Sequence, residues 1–433
     1  MENEVIQNVL GKIDRHEITR LVMQLIDIPS SPGQEKDVAE FILSWLKENE
    51  LESISQEVEP GRLNAIGILR GSARGLSLMF NGHLDTNHPG TLEDLEAIGA
   101  GIASPFRPKA ILEDDIVYGL GSYNCKGGVA AALIALKALK EGGVNLSGDV
   151  MVAAVCGETG VAPIDKYQSA AYHGHGYGTR YLVTHGILPD LALVVEPSSQ
   201  QLVWTLPGVL YVKVTTYGES VYMPFSNRAK WEKERTNCIR NTIKMLEAIE
   251  DWAVEYEKRN IYESAGGTVT AKVNIGAIEA GKPFKPNHSL ASCSAYVDVR
   301  ILPTRDLMDV KRELEDLLAR AGIETRVEVY RSQKGYEGNN NEQLVDAIRA
   351  SYKQVFNTDP PKTETQKAST WNDVNIFHEL GIPSVKFGLS PVSTPALLSK
   401  NTGTRDEAVR VDEYVNMAQI YALTAMKVCS HNR

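Results

Sequence analysis

Three apolar runs in the first half of the chain each stop abruptly on polar residues: LSLMFNGHLD, DVMVAAVCGETG and LALVVEPSS. Short runs of branched and apolar residues bounded by turn formers read as buried strands. Between the first two lies GGVAAALIALKALKEGG, a helix that is apolar on most sides and bracketed by glycines. Strands alternating with such helices build an α/β sheet, and the polar groups at the strand ends gather along its carboxyl edge. Ahead of them, EITRLVMQLIDIPS carries Leu21, Val22, Leu25 and Ile26 at helical spacing. KDVAEFILSWLKENEL reads as a second amphipathic helix, and LNAIGILRG as a further strand.

The pattern changes near residue 205. GVLYVKVTTYGES alternates like a half-exposed strand, and TNCIRNTIKMLEAIEDWAVEYEKR is a long helix. Two more strands, in TVTAKVNIGAIEAG and SCSAYVDVRILP, precede the helix DLMDVKRELEDLLARAG. That order fits an inserted ferredoxin-like βαββαβ layer. NEQLVDAIRASYKQVF, GIPSVKFGLSP and VDEYVNMAQIYALTAMKV then return the chain to the first domain. The expected fold class is α/β, a mixed sheet with helices on both faces plus the insertion. The boundaries read as 1–203 plus 325–433 for the catalytic domain and 204–324 for the inserted one.

Composition excludes several classes. The net charge of −10 argues against nucleic-acid binding, and no apolar run has the length of a membrane span. The N-terminus, MENEVIQNVLGKIDRHE, is too polar for a signal peptide. Five cysteines, at 125, 156, 238, 293 and 429, form no disulfide framework. A cytoplasmic protein with reduced thiols is expected.

MFNGHLDT places His83 and Asp85 just past an apolar strand. Such a His can bind a metal through one ring nitrogen while the Asp orients the ring. The bare pair is more often structural. Its neighbours change that weight, because YGLGSYNCKGG, CGETG and VVEPSS follow in order, three more polar segments expected at the same sheet edge.

This ordered set, with VDVR and GIPSVKFG, resembles the M20 family of metallopeptidases and amidohydrolases, which includes acetylornithine deacetylase, succinyl-diaminopimelate desuccinylase and carboxypeptidase G2. The resemblance spans nearly the whole chain and implies two-zinc amide hydrolysis, with the inserted layer as a lid and dimerisation domain. It implies that His83 and Glu196 bind the first zinc, Asp85 orients the ring, and Glu158 binds the second. Lys126, Gly127 and Gly128 match the loop after the bridging residue. The departures fall on chemistry. The bridging Asp falls on Asn124, the general-base Glu on Gly157, the second zinc's His on Gly403 before Glu407, and the lid His on Tyr222. Arg300 matches the lid position that holds a substrate carboxylate, and Asn287 matches another lid contact.

A neutral amide does not hold two cations a few ångströms apart. The two-zinc site is therefore expected to be lost, leaving at most one zinc, weakly held by His83 and Glu196. The reading that follows is a divergent enzyme of this type acting on an amide or acyl bond. Its substrate is a small, amino-acid-derived molecule bearing a carboxylate, and its mechanism is metal-independent. Asp85, Glu158, Cys156 and Tyr222 are the candidate catalytic groups, and Asn124, Asn287 and Arg300 the candidate substrate contacts. Two alternatives stay open: an ordinary zinc-dependent N-acyl amino acid deacylase or dipeptidase, and a catalytically inactive binding or partner protein. Packing is the commoner role for buried cysteines such as Cys125 and Cys156, and Tyr222 reads equally well as a surface tyrosine. His173, His175 and His185 read as a solvated loop rather than a metal site. A homodimer is expected through the lid, where Ile243, Leu246 and Ile249 form an apolar helix face.

Overall fold

A computed structural model describes residues 2–430 apart from 73, 88, 90, 92–105, 364–369 and 393–406. The chain divides into two compact units. The first comprises Met1–Trp204, Gly338–Glu364 and Asn372–Arg433, and the second Thr205–Glu337 with Thr365–Trp371. The inserted unit thus runs on to 337 rather than 324. The reason is the strand Thr325–Gln333, which pairs antiparallel with Gly208–Tyr217 from Thr325 opposite Thr216 to Gln333 opposite Val209.

The first unit is built on a six-stranded mixed sheet in the order Glu52–Glu59, Arg62–Leu69, Val150–Val155, Leu78–His83, Leu191–Val194, Ser384–Lys386. The first two strands run antiparallel to each other, and Arg62–Leu69 is antiparallel to Val150–Val155. The remaining pairings are parallel. The edge strand ESISQEVE was not expected, because it is mostly polar and half exposed. Helix Lys126–Glu141 packs on Leu78–His83 and Val150–Val155 and against helices Arg15–Asp27 and Val411–Cys429. Burial on nearly every side explains its apolar composition. Its approach to the sheet depends on Gly128, where a Cβ would lie 2.2 Å from the Val195 carbonyl oxygen. The helix at Arg15 starts where Asp14 accepts the Glu17 N–H at 2.7 Å, an N-cap worth about 1 kcal/mol. No helix among the described residues is long and apolar enough to cross a membrane.

The second unit has a four-stranded antiparallel sheet in the order Lys272–Ala280, Ser292–Ile301, Gly208–Tyr217, Thr325–Gln333. With helices Cys238–Arg259 and Leu307–Arg320 this is the ferredoxin-like arrangement. Ile249 and Leu246 turn inward to its core rather than outward. Of the three residues expected on an outer face, only Ile243 is exposed, at 50%, beside Ile239 at 49%.

Candidate active site

Parallel register brings the strand ends together. His83 lies opposite Val155, and Asn81 opposite Val194, so His83, Glu158 and Glu196 leave the sheet at one carboxyl edge. The His83 Nδ1–H donates to the Asp85 backbone carbonyl at 2.7 Å, which turns Nε2 toward the site. One donor atom from each of His83, Glu158 and Glu196 lies within 4.8 Å of the others, and all three residues are buried. The Oε2 of Glu158 is 3.8 Å from His83 Nε2.

One nitrogen and two carboxylates suit a single divalent cation with three protein ligands. Electrostatics point the same way. Burial and the neighbouring Glu158 push the Glu196 carboxyl well above its ordinary value, against His83 and Lys386, with Asp373 adding to the rise. Burial lowers the affinity of His83 for a proton, but Asp85, Glu196 and Asp373 outweigh it and raise the ring's pKa. Buried carboxylates without a cation are costly, and a divalent ion lets both remain ionised. The donors thus fit one cation. They do not fit the two-metal arrangement through Asn124, since a neutral amide stands where a bridging charge is required. Gly403 lies outside the described residues.

Asn124 Oδ1 sits 3.1 Å from His83 Nε2. A neutral ring meets this amide once its NH2 end is turned inward, and an imidazolium meets it as it stands. Its loop is held by Glu407, whose Oε2 accepts the N–H groups of Gly121, Tyr123 and Asn124 at 3.1, 2.9 and 3.3 Å. Burial pushes the Glu407 carboxyl up to about 7 against those three bonds. Lys126 is tied down as well: its Nζ donates to the carbonyls of Leu25 and Ile28 at 2.8 and 2.7 Å.

Asp85 is held on both oxygens. It is fully buried, and its two oxygens accept the N–H groups of Glu158 at 3.0 Å and Thr159 at 2.8 Å. It fastens the CGETG turn to the end of the His83 strand and is a positioning residue. Cys156 is enclosed as well. Its side chain is fully buried, and burial pushes the thiol well above its ordinary value, as it does for Cys125. Burial of this kind disfavours the thiolate that a nucleophile requires. Cys156→Ser is therefore expected to leave activity unchanged and to cost about 1–3 kcal/mol of stability for a buried hydroxyl, measured by assay and denaturant midpoint. Lost activity with the fold intact would reinstate the thiol.

Gly157 is more than a missing base. Its φ is +67°, and a Cβ there would lie 2.8 Å from Arg62 Nη2 and 2.9 Å from the His173 carbonyl oxygen. Arg62 is itself buried. It pairs with Glu35 and donates to the carbonyls of Ala170 and His173 at 2.8 and 2.6 Å. The space a side chain at 157 would need is filled.

Of the remaining residues singled out in the sequence, Tyr222, Asn287 and Arg300 belong to the second unit. Tyr222 is 43% exposed, its ring 5.3 Å from that of His288, and the Asn287 carbonyl accepts the Met223 N–H beside it. Arg300 stands apart from them. Ser292 pairs with Tyr217 and Arg300 with Val209, so Arg300 is about 27 Å along the strand from the Tyr222 end, at ~3.4 Å per residue. Its guanidinium is also engaged, with Nε 3.0 Å and Nη2 2.8 Å from the Asp298 carboxylate. His173 bonds Glu59, His175 faces the Val161 carbonyl and His185 stacks on Tyr181, so the three do not cluster.

Asp373 escaped the sequence reading. It is buried, Thr179 donates to its Oδ2 at 2.6 Å, and Asn81 donates to Thr179 at 3.0 Å. Burial raises its carboxyl to about 6, with Thr179 and His83 pulling the other way. The signal was slight: an Asp among Trp, Val, Ile and Phe in TWNDVNIF, which also carries Thr and two Asn.

Residues 79–427 match Peptidase family M20/M25/M40, and the chain belongs to that family. It is similar to the N-formyl-4-amino-5-aminomethyl-2-methylpyrimidine deformylase of Halalkalibacterium halodurans, at 22% identity over 97% of this chain and 95% of the relative. It is likewise similar to the succinyl-diaminopimelate desuccinylase of Corynebacterium glutamicum, at 27% identity over 92% and 94%. Human carnosine dipeptidase 1 superposes with a TM-score of 0.70 over 98% of each chain. At 14% identity that last likeness is one of fold alone.

Proposed function

We propose that this protein hydrolyses an amide or acyl bond of a small, amino-acid-derived substrate bearing a carboxylate, and that it does so with one divalent cation. The observation that carries the reading is the convergence of His83, Glu158 and Glu196 on one point. It favours a cation-assisted route over the metal-independent mechanism expected from the sequence. The relatives' names, a deformylase and a desuccinylase, support an N-acyl substrate.

When bound, the cation would polarise a carbonyl and lower the pKa of a water. The chain's own part is positional and acid–base. Asp85 and Glu407 fix the two loops that present the donors. His83 is oriented by its bond to the Asp85 carbonyl, so Nε2 is the atom offered. Glu158 has two oxygens, one to hold the cation and one to take a proton from the attacking water, a role that Asp85 and Gly157 do not fill. The test is a panel of N-formyl, N-acetyl and N-succinyl amino acids, assayed with chelated protein and with Zn²⁺ or Mn²⁺ restored. Metal-dependent release of the amino acid is expected. Equal turnover in chelator would refute the reading.

The same proposal includes a homodimer. Tyr222 follows the Tyr217 end of strand Gly208–Tyr217, and Arg300 pairs with Val209 at its other end, so a substrate needing both would draw them from two copies. Ile239, Ile243 and the edge-strand Ile278 supply exposed apolar surface for the contact. Light scattering should return twice the chain mass, and Ile243→Asp should halve it. A wild-type monomer at micromolar concentration would count against the dimer.

A further inference from the structure

The inserted unit holds a cavity of about 400 Å³ of its own. Arg228, Trp231, Arg240, His288 and Leu290 are among the residues that line it. That volume is in the range of small-molecule sites, roughly 300–1,000 Å³. Its positive charge comes from Arg228 and Arg240. Arg62, Arg70, Arg180, Arg259 and Arg300 each hold a carboxylate. Among the described residues, neither the Arg228 nor the Arg240 guanidinium has an acidic partner. The one acidic residue in the lining, Glu219, is taken by Lys230 at 3.0 Å. Trp231 is buried, at 8% exposure, and with Leu290 it gives the cavity an apolar wall.

We infer that this cavity binds a small oxyanion, a carboxylate or phosphate, carried on an aromatic or branched apolar body. A guanidinium offers paired donors to two oxygens of such a group. The apolar wall removes the body of the ligand from water, which a free inorganic anion would not exploit. The inference concerns the inserted unit alone and does not depend on the reading of the His83 site.

The test uses the full-length protein and calorimetry, with benzoate and phenyl phosphate as probes and benzamide as the neutral control. Benzoate and phenyl phosphate are expected to bind saturably, and benzamide about tenfold or more weakly, the scale of a lost charged hydrogen bond. Arg228→Gln combined with Arg240→Gln should lower benzoate affinity about ten- to a hundredfold without changing the melting temperature, since both side chains are exposed. Glu196→Gln should leave it unchanged. A raised KM for hydrolysis in the double variant would identify the anion as the substrate's own, and an unchanged KM would identify a separate ligand; both uphold the cavity. The inference is overturned if benzoate does not bind, if benzamide binds equally, or if the double variant binds as the wild type does. It is also overturned if Glu196→Gln abolishes binding, for the probe would then be reading the His83 site.

Discussion

Gly157→Glu, which places a glutamate next to Glu158 as the family pattern has it, is expected to destabilise the protein by about 3–5 kcal/mol and to return no activity. Two physical costs add. A side chain at a φ of +67° is strained, by about 1–2 kcal/mol for an ordinary L residue. Its Cβ must then displace Arg62 Nη2 or the His173 carbonyl, each under 3 Å away. Arg62 cannot yield cheaply, because it is buried on Glu35 and holds the backbone of 170 and 173. Gly157→Ala separates the costs and should give an intermediate loss. Urea denaturation and hydrolytic assay decide it. A Gly157→Glu variant of wild-type stability with raised turnover would mean the position is vacant, not closed.

Glu196→Gln should act in opposite directions on binding and on stability. Removing the charge while keeping the shape takes away one of three ligands, and cation affinity should fall by more than about a hundredfold, beyond what loss of an outer partner costs. In the metal-free protein the same change should stabilise the fold. The Glu196 carboxyl is raised above its ordinary value of 4.5, so the folded state holds its proton more tightly than the unfolded state. Stability from this group is therefore present below pH 4.5 and lost as pH rises through the raised value. Glutamine carries no charge to bury and removes that loss. Thermal melts in chelator at pH 5 and pH 8 should show a smaller fall for the variant than for the wild type. An unchanged pH dependence, or unchanged affinity for Zn²⁺, would remove Glu196 from the site.

What could be read in the sequence follows from where its signals are local. His83, Glu158 and Glu196 were legible because each ends an apolar run, and parallel strands that end together bring their next residues together. The strand TRVEVYRSQ was assigned to the wrong unit, because a short alternating strand carries no information about which sheet it joins. The hydrogen bonds of Asp85 were hidden for a similar reason. Its partners are the backbone N–H groups of a turn more than 70 residues away, which leave no trace in side-chain identity. Arg62 and Glu35 look like surface residues until tertiary packing buries both. The Arg300 pairing could have been anticipated, since Asp298 sits two positions earlier and shares its face of the strand.

Metal stoichiometry separates a one-cation site from a two-cation or empty one. The protein should be purified without chelator, equilibrated with Zn²⁺, freed of excess by gel filtration and analysed for metal per chain. One cation per chain is the expected result, falling to none in Glu196→Gln. Two tightly held cations per wild-type chain would contradict the account, because Asn124 would then have to lie between two positive ions. No bound cation would contradict it as well, leaving His83, Glu158 and Glu196 as a buried acidic cluster without the ion that makes sense of them.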